Sequence, residues 1–168
     1  MNSLIDMKGD NIVYSLSHVT NTILVKANES GISITPMKLQ KLLYFYYKSY
    51  LKTTKDPLFA ERFEPWMYGP VVSDVYNTFK IYKSQPINSY YPDADGSTLY
   101  LLPNDADEPL TRCLDEVWKN YAMFSGIDLS IVTHRPDSAW TKAVKANAFT
   151  LSDTDIMDEP DYVVGDRP

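Results

Sequence analysis

Thr35-Pro-Met-Lys-Leu-Gln-Lys-Leu-Leu-Tyr-Phe-Tyr-Tyr-Lys-Ser-Tyr50-Leu51 decides the fold class. Thr35 is a side-chain N-cap, and Pro36 sits at the first helical position, where its missing N–H leaves nothing unbonded. At ~100° per residue, Leu39, Leu42, Leu43, Tyr46 and Tyr50 share one core-facing stripe, which predicts a long helix. Lys38, Lys41, Lys48 and Lys52 fall within about 80° of one another, with Phe45 in the same strip, while Tyr44 and Tyr47 flank the other side. More of the circumference is apolar or aromatic than one core contact requires. Such a helix is either buried on two sides or presents an aromatic patch to a partner.

Working outward, Ile12, Leu16, Val19, Ile23 and Ala27 predict a first helix from Asp10, ended by Gly31. After the long helix, Pro57 and Pro65 break the pattern, and Trp66-Met-Tyr68 reads as a bulky extended segment. Gly69-Pro70 then predicts a helix start, with Val72, Val75, Tyr76 and Phe79 on its apolar face and its end near Tyr82. Residues 85–109, with an Asp-Ala-Asp-Gly turn and the run Leu99-Tyr-Leu-Leu102, predict a loop or small β-hairpin. Leu110, Leu114, Val117, Tyr121 and Phe124 give a fourth helix that Gly126 stops. Asp128 is expected to cap a short helix over 129–133, another starts at Asp137 or Ser138, and Ser152-Asp-Thr-Asp155 resembles a capping box. The expected fold is mainly α: one compact multi-helix domain with a small β-hairpin or loop insertion near 85–105. Residues 1–151 form the helical domain and 152–168 an acidic C-terminal tail, mobile beyond Asp158.

With 168 residues, 44% hydrophobic and 23% charged, the chain suits a single core and excludes fibrous or wholly disordered classes. One cysteine, Cys113, excludes an intramolecular disulfide and suggests a reducing compartment. Residues 1–10 hold no apolar signal core, and no run approaches the ~18 apolar residues of a membrane span, so the expectation is a cytoplasmic protein without a membrane partner. The net charge of −6 is uneven: residues 1–92 carry 10 basic and 7 acidic side chains, 93–128 carry 2 and 8, 129–151 carry 3 and 1, and 152–168 carry 1 and 6. Opposite charge on different segments marks solvated faces or two binding surfaces of opposite sign.

The chemistry-bearing motifs are absent: no phosphate-binding glycine loop, no His-Glu-x-x-His, no Gly-x-Ser-x-Gly. His18, expected on the polar side of the first helix, and His134 each lack a second ligand at helical spacing. A Cys113–His134 nucleophile pair is disfavoured, because Cys113 adjoins an apolar stripe. The expectation is a protein with no catalytic residue, metal or cofactor, and not an enzyme. An overall pI near 4.8 with one four-lysine strip also makes nucleic acid an unlikely partner. Thirteen tyrosines point instead to protein contact, and Trp66 and Tyr68 are core anchors or loop-borne contact residues.

Three pieces together, Thr35 to Tyr47, Phe63-Glu-Pro-Trp-Met-Tyr-Gly-Pro-Val71 with Val75-Tyr76 and Phe79-Lys80, and Leu129-Ser130 with Thr133-His134 and Trp140, resemble the Panacea domain. This family is also described as SocA-like or GepA-like and is common in prophages and toxin–antitoxin operons. The resemblance spans about residues 10–145. It departs at Ala139, where the family usually shows proline, and in the aromatic excess of Phe45-Tyr46-Tyr47. The resemblance implies an antitoxin that neutralises a cognate protein toxin by direct binding. Its alternative is a proteolytic adaptor delivering the toxin to an ATP-dependent protease, and a nucleic-acid-binding regulator ranks lower. Self-association is a further partner expectation. If such a toxin has a basic groove, the acidic segment Asp93–Glu116 or the tail is the part to enter it. Carried over residue by residue, and extended along the same helix, the candidate partner-binding set is Lys38, Gln40, Lys41, Tyr44, Phe45, Tyr47, Lys48, Trp66, Tyr68, Gly69, Pro70, Val71, His134 and Trp140. Gly69 and Pro70 also have a sufficient backbone explanation.

Overall fold

A computed structural model describes residues 5–8, 11–98 and 108–165. Its elements are β1 (Ile5–Lys8), β2 (Asn11–Tyr14), α1 (Leu16–Ser30), α2 (Pro36–Thr54), β3 (Glu64–Trp66), β4 (Gly69–Val71), α3 (Ser73–Phe79) with a 3₁₀ turn Lys80–Tyr82, α4 (Glu108–Tyr121), α5 (Gly126–Thr133), α6 (Ala139–Lys145) and α7 (Asp153–Asp158). The fold is mainly α, with two antiparallel strand pairs, β1–β2 and β3–β4. Among the described residues no helix is long and apolar enough to cross a membrane.

α2 is the axis of the molecule. Thr35 caps it by accepting from the Lys38 N–H, as its sequence predicts, and Lys55 ends it in a left-handed conformation. α1, α3, α4, α5, α7 and β4 all pack against it. Leu39, Leu42, Leu43, Tyr46 and Tyr50 are buried as expected, and so are Tyr44, Phe45, Tyr47, Lys38, Gln40, Lys41 and Lys48. Buried on two sides is therefore the outcome for this helix; an aromatic patch on its surface is not. The rings of Phe45 and Tyr121 stack at 4.2 Å, and Tyr44 and Tyr47 meet Phe63 edge-on at 5.2 and 5.4 Å.

Several expected boundaries move. The first helix starts at Leu16 rather than Asp10, because Ile12, Val13 and Tyr14 belong to β2 and the Tyr14 N–H donates to the Leu58 carbonyl. Gly69-Pro70 does not open a helix. Those residues form β4, and α3 begins only at Ser73, since Gln40 holds both backbone polar groups of Val72 in place. Gly126 starts α5 as well as following α4. The cap is Ser125, and Asp128 is the third helical residue of a reciprocal capping box. α6 and α7 stand where the Ser138 and Ser152 caps place them, and α4 follows its periodicity but ends at Tyr121, before Phe124. Residues 83–98 contain the Asp93–Gly96 turn and no strand, and the run Leu99–Leu102 lies outside the described residues.

His18 is buried rather than on a polar surface. Its Nε2 stands 3.1 Å from Asp93 Oδ2, while Ser17 donates to Oδ1 of the same carboxylate and Asn21 pairs with the Tyr91 backbone. α1 thus uses its polar side to hold the loop that follows α3.

Residues 159–162, within the end expected to be mobile, are strapped to α2. Glu159 is buried, and its carboxylate accepts from the Tyr44 hydroxyl and the Ala139 N–H and sits 2.8 Å from Lys48 Nζ. Lys52 reaches Asp161 at 3.0 Å, and Tyr121 donates to the Tyr162 carbonyl. Opposite charges on separated segments meet each other: part of the lysine strip of α2 is neutralised by the acidic end of the same chain.

Candidate functional site

The family-like residues converge on the β3–β4 hairpin. Trp66 pairs with Gly69, so Met67 and Tyr68 form the tip. Two bulky side chains on a two-residue turn cannot both face inward, and here Met67 is 78% and Tyr68 61% exposed. Gly69 makes the turn possible in two ways. Its φ of +108° is left-handed, and a Cβ there would stand 2.4 Å from Thr133 Oγ1 and 2.9 Å from Lys41 Cε.

Side chains from three helices hold the carbonyls of this segment. From α6, the Trp140 indole N–H donates to the Trp66 carbonyl at 2.7 Å. His134, at the end of α5, places Nε2 3.0 Å from the Met67 carbonyl and Nδ1 2.6 Å from that of Ser130. A neutral ring has one N–H and donates to one of these; the imidazolium donates to both. The Ser130 hydroxyl donates to the Tyr68 carbonyl. From α2, Lys41 Nζ donates to the Pro70 carbonyl at 2.9 Å, and the Gln40 amide exchanges two hydrogen bonds with the Val72 backbone. His134 also packs against Trp140, with ring centroids 3.8 Å apart and planes tilted by 49°, and Trp66 packs edge-on against Tyr76 at 4.7 Å. A turn whose carbonyls are held in this way loses little conformational freedom when something binds to it.

Of the fourteen candidate residues, Gln40, Lys41, Trp66, Tyr68, Gly69, Pro70, Val71, His134 and Trp140 come together at this hairpin. Within this group only Tyr68 is largely exposed; Gly69, Pro70 and Val71 are buried, and Trp66, His134 and Trp140 are half-buried. Lys38, Tyr44, Phe45, Tyr47 and Lys48 lie elsewhere in the interior. Lys38 caps the C-terminal end of α4 through the Ala122 carbonyl, and Tyr44, Tyr47 and Lys48 hold α7 and the strap. Burial pushes Lys41 down to about 7, lowers Lys38 and Lys48, and raises Tyr44 and Tyr47 above the ordinary tyrosine value. These side chains are held by their neighbours and do not offer a surface to a partner.

The candidate set omits Met67, Ser130, Thr133 and the outward residues of α5, Ile127 and Ile131. Ser130 and Thr133 belonged to the quoted motif, and their spacing of four and one from His134 placed all three on one helical side. Cys113 lies in α4 against Thr53, so it and His134 belong to different parts of the molecule. Among the described residues no three His, Cys, Asp or Glu side chains group as a metal site.

The hairpin and its clamp lie within the region that the model of the Antitoxin SocA-like, Panacea domain family matches, residues 39–141. The chain is also 28% identical over 124 residues to Antitoxin SocA of Caulobacter vibrioides (strain NA1000 / CB15N), an alignment covering 73% of this chain and 66% of that relative. No solved structure gives a significant match. With more than half of its length matched by the family model, and with nine of the fourteen candidate residues assembled at one clamped hairpin, the chain belongs to the SocA-like Panacea domain family.

Proposed function

We propose that this protein is a cytoplasmic antitoxin that neutralises a cognate protein toxin by direct, stoichiometric binding. The observation that supports it best is the hairpin itself. Five side chains on three helices secure backbone carbonyls, and the product of that arrangement is two exposed side chains, Met67 and Tyr68. Preorganisation of an exposed apolar and aromatic tip favours partner binding, because little conformational freedom remains to be lost when a partner docks. In this reading residues 1–151 are the Panacea-like binding unit and the acidic residues 152–168 brace it.

The test is co-expression with the product of an adjacent reading frame that is toxic alone. Growth should be rescued only when this protein is present in roughly equimolar amount. A pulse-chase of the toxin should find it undegraded in a stable complex. Toxin that disappears faster in the presence of this protein would replace direct neutralisation by delivery to a protease, and rescue at substoichiometric protein would point to catalysis.

A further inference from the structure

We propose that the Met67–Tyr68 turn and the outward side of α5 form one docking surface, occupied by an apolar groove on a basic protein. The proposal rests on the antitoxin reading above and names the surface by which the toxin is held. α5 is apolar on two sides: Leu129 and Val132 face the core, while Ile127 and Ile131, one turn apart on the opposite side, are 66% and 51% exposed. A contiguous exposed apolar stripe on a monomer commonly marks an interaction site. Ser130, between the two isoleucines in sequence, donates its hydroxyl to the Tyr68 carbonyl, so tip and stripe are neighbours. Met123, 82% exposed, precedes the Ser125 cap at the same end of α5 as Ile127.

These five side chains each leave on the order of 100 Å² exposed. Their sum reaches the size at which an apolar patch on a monomer is commonly functional and supplies much of the ~800 Å² that one partner contributes to a standard interface. The clamped turn is convex, so the partner must supply the concave half. A second copy fits poorly. Two copies each carrying −6 repel, whereas a basic partner is attracted.

The experiment uses the full chain and the toxic product of the adjacent reading frame, with affinity read by calorimetry and rescue by growth. Met67→Asp/Tyr68→Asp and Ile127→Asp/Ile131→Asp should each weaken binding by at least about 30-fold and abolish rescue. Ile81→Asp, an equally exposed substitution on the 3₁₀ turn after α3, should bind like the wild type, and unchanged thermal unfolding should show that all three fold. Wild-type binding retained by both double variants would overturn the surface and leave the antitoxin reading standing. A wild-type dimer dispersed by the same variants would overturn the assigned occupant in favour of a second copy. Wild-type protein that neither binds nor rescues would overturn the antitoxin reading and the surface with it.

Discussion

The strap over α2 and the hairpin beside it are both held by hydrogen-bond donors from distant parts of the chain, and they end in opposite states. At the strap, Lys48, Tyr44 and the Ala139 N–H gather around the Glu159 carboxylate, and the partners finish buried together. At the hairpin, Trp140, His134, Ser130, Lys41 and Gln40 take backbone groups only, and the side chains of the held turn are left outside. Holding a carboxylate consumes the side chain that bears it. Holding a carbonyl leaves the side chain free to do something else. The family match encloses the whole hairpin clamp and stops before Glu159, so the strap lies outside the matched region.

The comparison predicts that the strap governs stability and the tip governs binding. Glu159→Ala should give the largest loss of stability, about 3–5 kcal/mol by urea denaturation, since it leaves the Lys48 ammonium buried without its carboxylate. A loss under about 1 kcal/mol would mean that the strap is dispensable. Ala139→Pro is the sharper test. Position 139 opens α6, where proline suits the backbone, so the expected loss of about 1–3 kcal/mol comes from the single N–H donated to Glu159. If this variant is more stable than the wild type, the N–H contributes nothing.

The hairpin should show itself in the pH dependence of stability. Lys41, desolvated beneath Gly69, titrates near 7 in the folded protein, below the ordinary lysine value. Between about 7 and that ordinary value the unfolded chain binds a proton that the folded chain does not, so stability rises with pH across this window. Lys38 and Lys48 act in the same direction, while Tyr44 and Tyr47, raised by burial, reverse the trend above about pH 10. The urea midpoint should increase from pH 7 to 9, and Lys41→Met should reduce that increase; an unchanged slope would remove Lys41 as its source. The smallest stability effect belongs to Tyr68→Asp, within about 0.5 kcal/mol of wild type by thermal unfolding. A larger loss would show that the tip stabilises the fold itself.

Much of the fold was legible because it is local. Thr35-Pro36 and the periodic leucines delimit α2, Ser138 and Ser152 cap α6 and α7, and Gly31 ends α1 through its left-handed backbone. The β3–β4 pair was not. Its residues Glu64–Trp66 and Gly69–Val71 carry no strand alternation, and they pair because Gln40, Lys41 and Trp140, distant in sequence, hold their backbone. The candidate site was half legible. The motif residues do assemble, but residue type could not separate those that clamp from those that are displayed.

By itself the sequence determined a mainly α fold, the ends of α2 and the caps of α6 and α7, since caps, prolines and apolar periodicity act over a few residues. Tertiary structure decided that α2 is covered on both sides. Its aromatic and lysine strip looked like a surface until the acidic end of the chain folded across part of it. Tertiary structure also decided that Met67 and Tyr68 stay outside. Burial and charge pairing depend on which distant segments meet, and a helical period carries no information about that.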